Sequence, residues 1–591
     1  MESKFNDDIE KRKSSILEYN KTANIITIFK MAFFILICYN IYKIYVNNYP
    51  SKLILLLVLE IVIFIVASLF HKTTYEQIYK EEGIIKINED NIKRVTGKWS
   101  AFTDIGEEFI DYNHDYAMDL DILGKNSLFQ MINSTGTYYG RTQLVNDLLN
   151  PNFSSKDLKK RHEAITELSE NYTFSAETEY DFSLIGIDND LPNLISWLGD
   201  DKKFVKNKVL KLLFKISSLI TCIALLYSIL TKSTISFVIL NCLIIFQLLL
   251  WVIGYLKANN YVNIIKKSPT KISRYDSVIN NITKMSFTCD KLNEIKKNLE
   301  IAKVGVSKLS KIASNINQRN NGVMCIVLNC LLLWDYKNAI DLDNWKQEYS
   351  NSVEGWFYTL AELESLISFA NLPRVCTNMS LPTFIEENNI IKATNMGHPL
   401  ISNDKRVCND FKLDNSIYII SGSNMSGKTT FMRTVGINMV LASAGSYICA
   451  NNLSLSKMKI ITSMRIRDDL NEGISTFYAE LKRIKKIVDQ SHIYQNTLFL
   501  IDEIFRGTNS VDRLKGAEGV LKELYKSHVS GMITTHDLEV CSLEYENSNI
   551  MNYSFNEHYI DDEIYFDYKL KLGKSMTTNA EYLLKKVGIL S

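Results

Sequence analysis

Proline is scarce, with seven in 591 residues, which argues against long rigid linkers and for a helix-rich chain. An excess of one charge is missing too. Lys and Arg total 67 against 66 Asp and Glu, a formal net charge of +1, so there is no global basic field and any nucleic-acid contact must come from local patches. The ten cysteines form no C-x-x-C pair and no metal-ligand spacing, and Cys38, Cys222, Cys242, Cys325 and Cys330 lie in apolar runs. That pattern fits buried thiols in a reducing compartment better than a disulfide framework or a zinc site. The N-terminal stretch MESKFNDDIEKRKSSILEYNKTAN has no small-residue cleavage pattern before a short apolar core, so no cleaved signal peptide is expected. A chain of this length is expected to form roughly two to four domains.

Long apolar runs, by contrast, are abundant. Hydropathy predicts two helical hairpins: Ile25 to Val46 joined to Leu53 to Phe70, and Leu212 to Leu230 joined to Ile235 to Tyr255. Each run approaches the ~17 to 25 residues that a helix needs to cross hydrocarbon. Lysines and arginines crowd the outer flanks (Lys11, Arg12 and Lys13; Lys202, Lys203 and Lys206; Lys266 and Lys267), whereas each turn holds one lysine. The positive-inside rule then places every soluble part in the cytoplasm of a multi-pass cell-membrane protein. The alternative is a set of buried core helices, but residues 235 to 255 hold no ionisable group and would need a complete protein jacket. Glu60 is the awkward residue, protonated or paired inside the bundle. The run GVMCIVLNCLLLW, 322 to 334, is too short to span and reads as a packed helix.

A second signal lies downstream. The stretch IYIISGSNMSGKTTFM reads as a buried strand, a Gly-rich turn and a helix, the context of a phosphate-binding loop. Gly422 and Gly427 let the backbone turn and aim N–H groups from Ser423, Asn424, Met425, Ser426 and Thr430 at phosphate oxygens. Lys428 would reach the β and γ phosphates of ATP, and the Thr429 hydroxyl would ligate Mg²⁺. In TLFLIDEIFRGTNSVDR an apolar strand ends in Asp502, which can hold the magnesium shell, and Glu503, which can polarise the attacking water. His536, in GMITTHDLEV, follows another short strand, where it can sense the γ phosphate. No metal beyond Mg²⁺ is predicted.

Together these stretches resemble the ATPase domain of the MutS family of DNA mismatch-repair proteins. The loop GSNMSGKTT matches the family's G-P-N-M-G/S-G-K-S-T, with Ser423 in place of proline; GSYICA carries Cys449 where proline is usual; DEIFRGT differs at Phe505, where the family keeps glycine. LPTFIEENNIIKATNMGHPLI and RIRDDLNEGISTFYAEL match the lead-in and the segment ending S-T-F-M-x-E-M. The resemblance implies a homodimer in which Ser475 completes the partner's site and Thr508 to Asp512 form a crossing loop. It also implies that Phe384 stacks on adenine, with Tyr568 on the other face. Upstream, residues 119 to 168 and 354 to 372 are similar to the start and return of the family's helical lever, so the second hairpin lies inside the lever. The F-x-E mismatch wedge has no room before residue 119, and the family's C-terminal extension is not expected after AEYLLKKVGILS. Direct mismatch readout is therefore not expected.

The predicted fold is an α/β P-loop NTPase domain of the ABC/MutS type at 376–591. Before it lie an N-terminal segment (1–23), a transmembrane hairpin (24–71), a linker (72–117) and a mainly α-helical lever domain (118–375) interrupted by the second hairpin (212–256). The predicted function is that of a membrane-tethered ATPase, a homodimer whose clamp closes on double-stranded DNA. An ABC-like transporter and an ATP-switched scaffold for protein partners are the alternatives; the absence of an LSGGQ motif speaks against transport. The basic runs KRIKK (482–486) and KDLKKRH (156–162) read as solvated helix faces, and residues 290–313 as an amphipathic packing helix.

Overall fold

The computed structural model describes the chain except for residues 48–50, 188–189, 201–203, 205–207, 267–268, 466–475, 506–508, 546, 561–562 and 576–591. The first half is helical. Helix α1 (Glu2–Val46) and helix α2 (Ser51–Val95) form an antiparallel pair. Each runs 45 residues, so the apolar stretches are the outer halves of two long rods, and the segments at 1–23 and 72–95 continue the same helices. The polar halves are tied by Arg12 to Glu81, 2.7 Å apart. They dock on the lever through Phe5, edge-on to Tyr172 at 5.6 Å, and Asn88, which accepts from the Tyr172 hydroxyl at 2.7 Å.

The lever follows as α3 (Leu128–Ile132), α4 (Tyr138–Leu149), α5 (Ser155–Glu170), α6 (Tyr172–Ser183) and α7 (Asp190–Leu198). The second apolar pair is α8 (Lys208–Thr231) and α9 (Thr234–Lys266); α10 (Pro269–Lys284), α11 (Asp290–Asn317), α12 (Gly322–Leu332), α13 (Trp334–Ala370) and the short α14 (Leu372–Val375) complete the helices before the sheets. Side-chain caps start several of them: Thr137 accepts from Gly140 N–H ahead of α4, and Ser154 accepts from Asp157 N–H ahead of α5. Helix α11 buries Leu292, Ile295, Leu299, Ala302 and Val306 on one face, the amphipathic packing its sequence predicts. Helix α12 departs from the packed helix read from its sequence: one face lies on α8 and α9, and the other is open. Four helices, α1, α2, α8 and α9, are long and apolar enough to cross a membrane, and their most apolar windows are only 6–11% buried within the chain.

Helix α13 is the strut of the lever. Its far end is stitched to the second half of the protein through buried polar contacts. Ser365 Oγ donates to Asp147 at 2.6 Å, Asp147 pairs with Arg161 at 2.8 Å, and Arg161 Nε donates to the carbonyl of Ala444 at 2.9 Å.

The second half is mixed α/β. In chain order it runs β1 (Met379–Ser380), β2 (Thr383–Ile385), β3 (Ile390–Met396), β4 (Asn409–Asp414), β5 (Ile417–Gly422), α15 (Lys428–Ser443), β6 (Ile448–Cys449), β7 (Asn452–Ser456) and β8 (Lys459–Ser463). Then come α16 (Thr476–Ile493), β9 (Thr497–Ile501), α17 (Ser510–Lys526), β10 (Ser530–Thr535), β11 (Ile550–Ile560) and β12 (Glu563–Leu572). The main sheet has the order β12-β11-β5-β10-β9-β8. Its strands are parallel except for the antiparallel edge strand β12. Strands β5, β9 and β10 are buried along their whole length, which is why they read as continuous apolar runs rather than alternating ones. A smaller sheet, β2-β7-β3-β4, and the pair β1-β6 flank it.

Candidate functional site

Three neighbouring parallel strands, β5, β10 and β9, end on the same side of the main sheet, and side chains just beyond their C-terminal ends converge there, the usual place for a ligand in such sheets. After β5 the chain turns through residues 423–427 into α15. Gly422, Met425 and Gly427 have φ of +150°, +68° and +106°. A Cβ at Gly422 would stand 2.6 Å from the Phe555 carbonyl oxygen, so only glycine fits there. Helix α15 starts at Lys428 with no side-chain cap, which leaves its first N–H groups for an anion.

Lys428 is buried, and its ammonium donates to the carbonyls of Gly422 and Ser423 at 2.7 and 2.8 Å. One residue on, the Thr429 hydroxyl donates to both oxygens of Asp502, at 3.1 and 2.9 Å. Asp502 also accepts from Thr534 Oγ1 at 2.5 Å, and the same hydroxyl accepts from Glu503 N–H at 3.0 Å. Thr534, the last residue but one of β10, therefore braces the Asp502 carboxylate and the Glu503 backbone. The Glu503 carboxylate meets His536 Nε2, while Nδ1 of that ring lies 3.0 Å from the Gly422 carbonyl. Nδ1 can donate to that carbonyl, which leaves Nε2 facing the Glu503 carboxylate. Thr429 and Asp502 offer hard oxygens side by side, a donor set that fits Mg²⁺ held by one carboxylate and phosphate oxygens. Among the described residues no cluster of three or more His, Cys, Asp or Glu could hold another metal.

Above the loop lies a cavity of about 570 Å³, within the range of small-molecule sites. Residues 423–430 and Glu503 form its floor; His398, Ile401, Lys405, Val407, Asn409 and Tyr568 are among the residues of its walls. Tyr568 lines it as the resemblance implies. Phe384 is not among the lining residues; it lies in β2, paired with Leu455 of β7 and packed against the core. His398 takes a wall position that went unassigned in the sequence, although the stretch NMGHPL contains it. Burial, with Arg433 and Arg406 adding to it, pushes the His398 imidazole down to about 3, so it is neutral.

Two other features had no sequence signal. Ser423, the residue in place of proline, donates its hydroxyl to Glu557 of β11, a buried carboxylate under the loop. Asp119, from the lever side, is fully buried and accepts from Thr462 Oγ1, Met464 N–H, Arg465 N–H and Arg483 at 2.7 to 3.1 Å. Phe505 fills the space between α16 and α17, edge-on to Phe477 and against Gly516; its N–H donates to Glu480. Ser475 and Thr508 lie outside the described residues. Asn509 caps α17 by accepting from Asp512 N–H, which puts Asp512 in the first turn of that helix. In the two basic runs, Arg161 pairs with Asp147, Arg483 with Asp119 and Lys486 with Asp115.

Residues 418–585, which contain Lys428, Thr429, Asp502, Glu503, His536 and Tyr568, match the family model MutS domain V. Over this C-terminal part the chain is similar to the MutS family. It is 31% identical over 247 residues to the DNA mismatch repair protein MutS of Staphylococcus haemolyticus, 30% over 247 residues to that of Staphylococcus saprophyticus and 28% over 242 residues to that of Bacteroides fragilis. These matches take in 39–40% of this chain and 27–28% of each relative, so the chain spans about a quarter of the length of the curated relatives it matches.

Proposed function

We propose that this protein is a membrane-tethered MutS-type ATPase in which ATP binding and hydrolysis drive a lever, with the helical pairs α1–α2 and α8–α9 crossing the bilayer and the remainder in the cytoplasm. The observation that carries the reading is the meeting of Lys428, Thr429, Asp502, Glu503 and His536 beyond the C-terminal ends of three parallel strands, with Lys428, Thr429 and Glu503 on the floor of a nucleotide-sized cavity.

The triphosphate would lie over the N-terminus of α15, where the N–H groups of the loop and the Lys428 ammonium, turned from its two carbonyls, neutralise the β and γ oxygens. Thr429 and Asp502 would hold Mg²⁺, which supplies charge neutralisation on the phosphates. Glu503 would orient and deprotonate the attacking water, with His536 holding the carboxylate in place. The walls at His398, Val407 and Tyr568 would take the base. In a homodimer the partner's Ser475 region would close the site, so that two copies come together on ATP and part after hydrolysis. The relatives' names point to DNA as what the clamp grips, and duplex binding without mismatch readout is the form proposed.

Purified protein in detergent should hydrolyse ATP. Lys428→Ala should abolish ATP binding or turnover, and Glu503→Gln should bind ATP and cut turnover by at least 100-fold. Unchanged turnover in both variants would sink the assignment.

A further inference from the structure

Helix α12 reads GVMCIVLNCLL and holds no charged residue. At eleven residues it is about 16 Å long, roughly half of a ~30 Å hydrocarbon layer. It packs on α8 and α9, yet Val323, Met324, Ile326 and Val327 are 76%, 48%, 52% and 45% exposed. A patch of large apolar side chains at i, i+1, i+3 and i+4 is a surface made to be covered.

The two ends of α12 identify the cover. Arg319, just before the helix, pairs with Asp335, just after it, at 2.8 Å, and both side chains are no more than 4% exposed. The chain therefore enters and leaves this apolar stretch at one level. Leu333 makes the return possible with a left-handed φ of +47°, and the axis bends by 78° into α13. Tryptophan and tyrosine collect at that same level: Trp251 Nε1 donates to Asp335 at 2.8 Å, Trp334 Nε1 donates to the Asn315 carbonyl at 3.0 Å, and Tyr255 lies under Arg319. Such rings backed by charges mark the boundary between headgroups and acyl chains. Beyond it the open face of α12 joins those of α8 and α9, where Leu226 and Ile245 are 62% and 60% exposed.

We propose that α12 is a re-entrant foot of the lever, set in the cytoplasmic leaflet with lipid acyl chains covering Val323, Met324, Ile326 and Val327. This rests on the membrane reading of α8 and α9. Lipid, rather than a second copy, is the occupant because the open apolar face of α12 adjoins the exposed apolar faces of α8 and α9, on which it packs. Through α13, and the Ser365–Asp147–Arg161–Ala444 connection to the end of α15, a change at the nucleotide site reaches that foot.

The test uses the unaltered full chain in vesicles of phosphatidylcholine and phosphatidylglycerol carrying a photoactivatable diazirine in the acyl chain. Trypsin releases residues 320–337 as one peptide and 233–257, most of α9, as another. Lipid adducts on both, at comparable yield, are the expected result. Adducts on 233–257 but not on 320–337 would overturn the foot and leave the spans standing; adducts on neither would overturn both. A second arm places a cysteine-reactive bifunctional linker at Met324→Cys in the same vesicles. Copy-to-copy linkage in place of lipid adducts there would show a protein partner and reject the lipid contact.

Discussion

At the residue scale, charge and burial decide what each group can do. His398 sits in the wall of the cavity with its imidazole pushed down to about 3, against an ordinary value near 6.5. A folded-state value below the unfolded one means that the unfolded chain takes up the proton first. Stability from this group is thus whole above pH about 6.5 and is lost as pH falls toward 3, by about 2 kcal/mol at pH 5. Thermal melts of the detergent-solubilised protein between pH 7.5 and 5 should show the loss, and His398→Gln should flatten it; an unchanged slope would contradict the assignment. The Ser423 hydroxyl on Glu557 belongs to the same scale. Serine can donate there, whereas proline at that position, as in the family pattern, has neither a hydroxyl nor a backbone N–H.

At the scale of elements, two contacts hold the site to its surroundings. Phe505 lies with positive φ in the turn after β9, and its ring occupies space that only a glycine at 516 on α17 leaves open, since a Cβ there would come within 2.6 Å of it. Alanine at 516 would raise helix propensity by up to about 1 kcal/mol, but the clash costs about 1 to 3 kcal/mol. Gly516→Ala should therefore lower the melting temperature, and the penalty should vanish in a Phe505→Ala background. Equal penalties in both backgrounds would rule out the wedge. The other contact is Asp119, which grips the strand end at Thr462 to Arg465 and the start of α16 through Arg483. Asp119→Asn leaves Arg483 facing a neutral amide and should cost about 3 kcal/mol or more. ATP turnover should fall at least 10-fold while nucleotide binding, followed by fluorescent-analogue titration, stays within about 3-fold, because Lys428 and Thr429 are untouched. A matched loss of binding and turnover would place Asp119 in general folding instead.

At the scale of the molecule, the four apolar helices and the nucleotide site share one strut. Helix α13 runs from the bend beside α8 and α9 to the buried contacts that meet α15, so the lever and the sheet domain form one mechanical path. The protein should pellet with membranes, resist alkaline carbonate and require detergent for extraction; recovery in the aqueous fraction would remove the tether from the mechanism. Duplex DNA should bind with a steep loss of affinity between about 50 and 200 mM salt, and a mismatched duplex should bind no better. No binding at low salt would leave an ATP-switched protein scaffold as the better reading.

How much of this was legible in the chain follows from the physics of each signal. The meeting of the Gly-rich turn with Asp502, Glu503 and His536 was foreshadowed because a Gly-rich turn after a buried strand, and carboxylates ending another, are local patterns visible in one segment at a time. The four long apolar helices were equally plain, because hydrophobicity and length are properties of one segment at a time. Other features depend on segments far apart meeting: Thr534 bracing the Asp502 carboxylate and the Glu503 backbone, Glu557 under Ser423, Asp119 reaching across more than 340 residues to Arg465, and His398 rather than Phe384 facing the cavity. The fate of residues 322–334 was of the same kind. Composition showed an apolar helix too short to span, but only the pairing of Arg319 with Asp335 showed that both its ends return to one level.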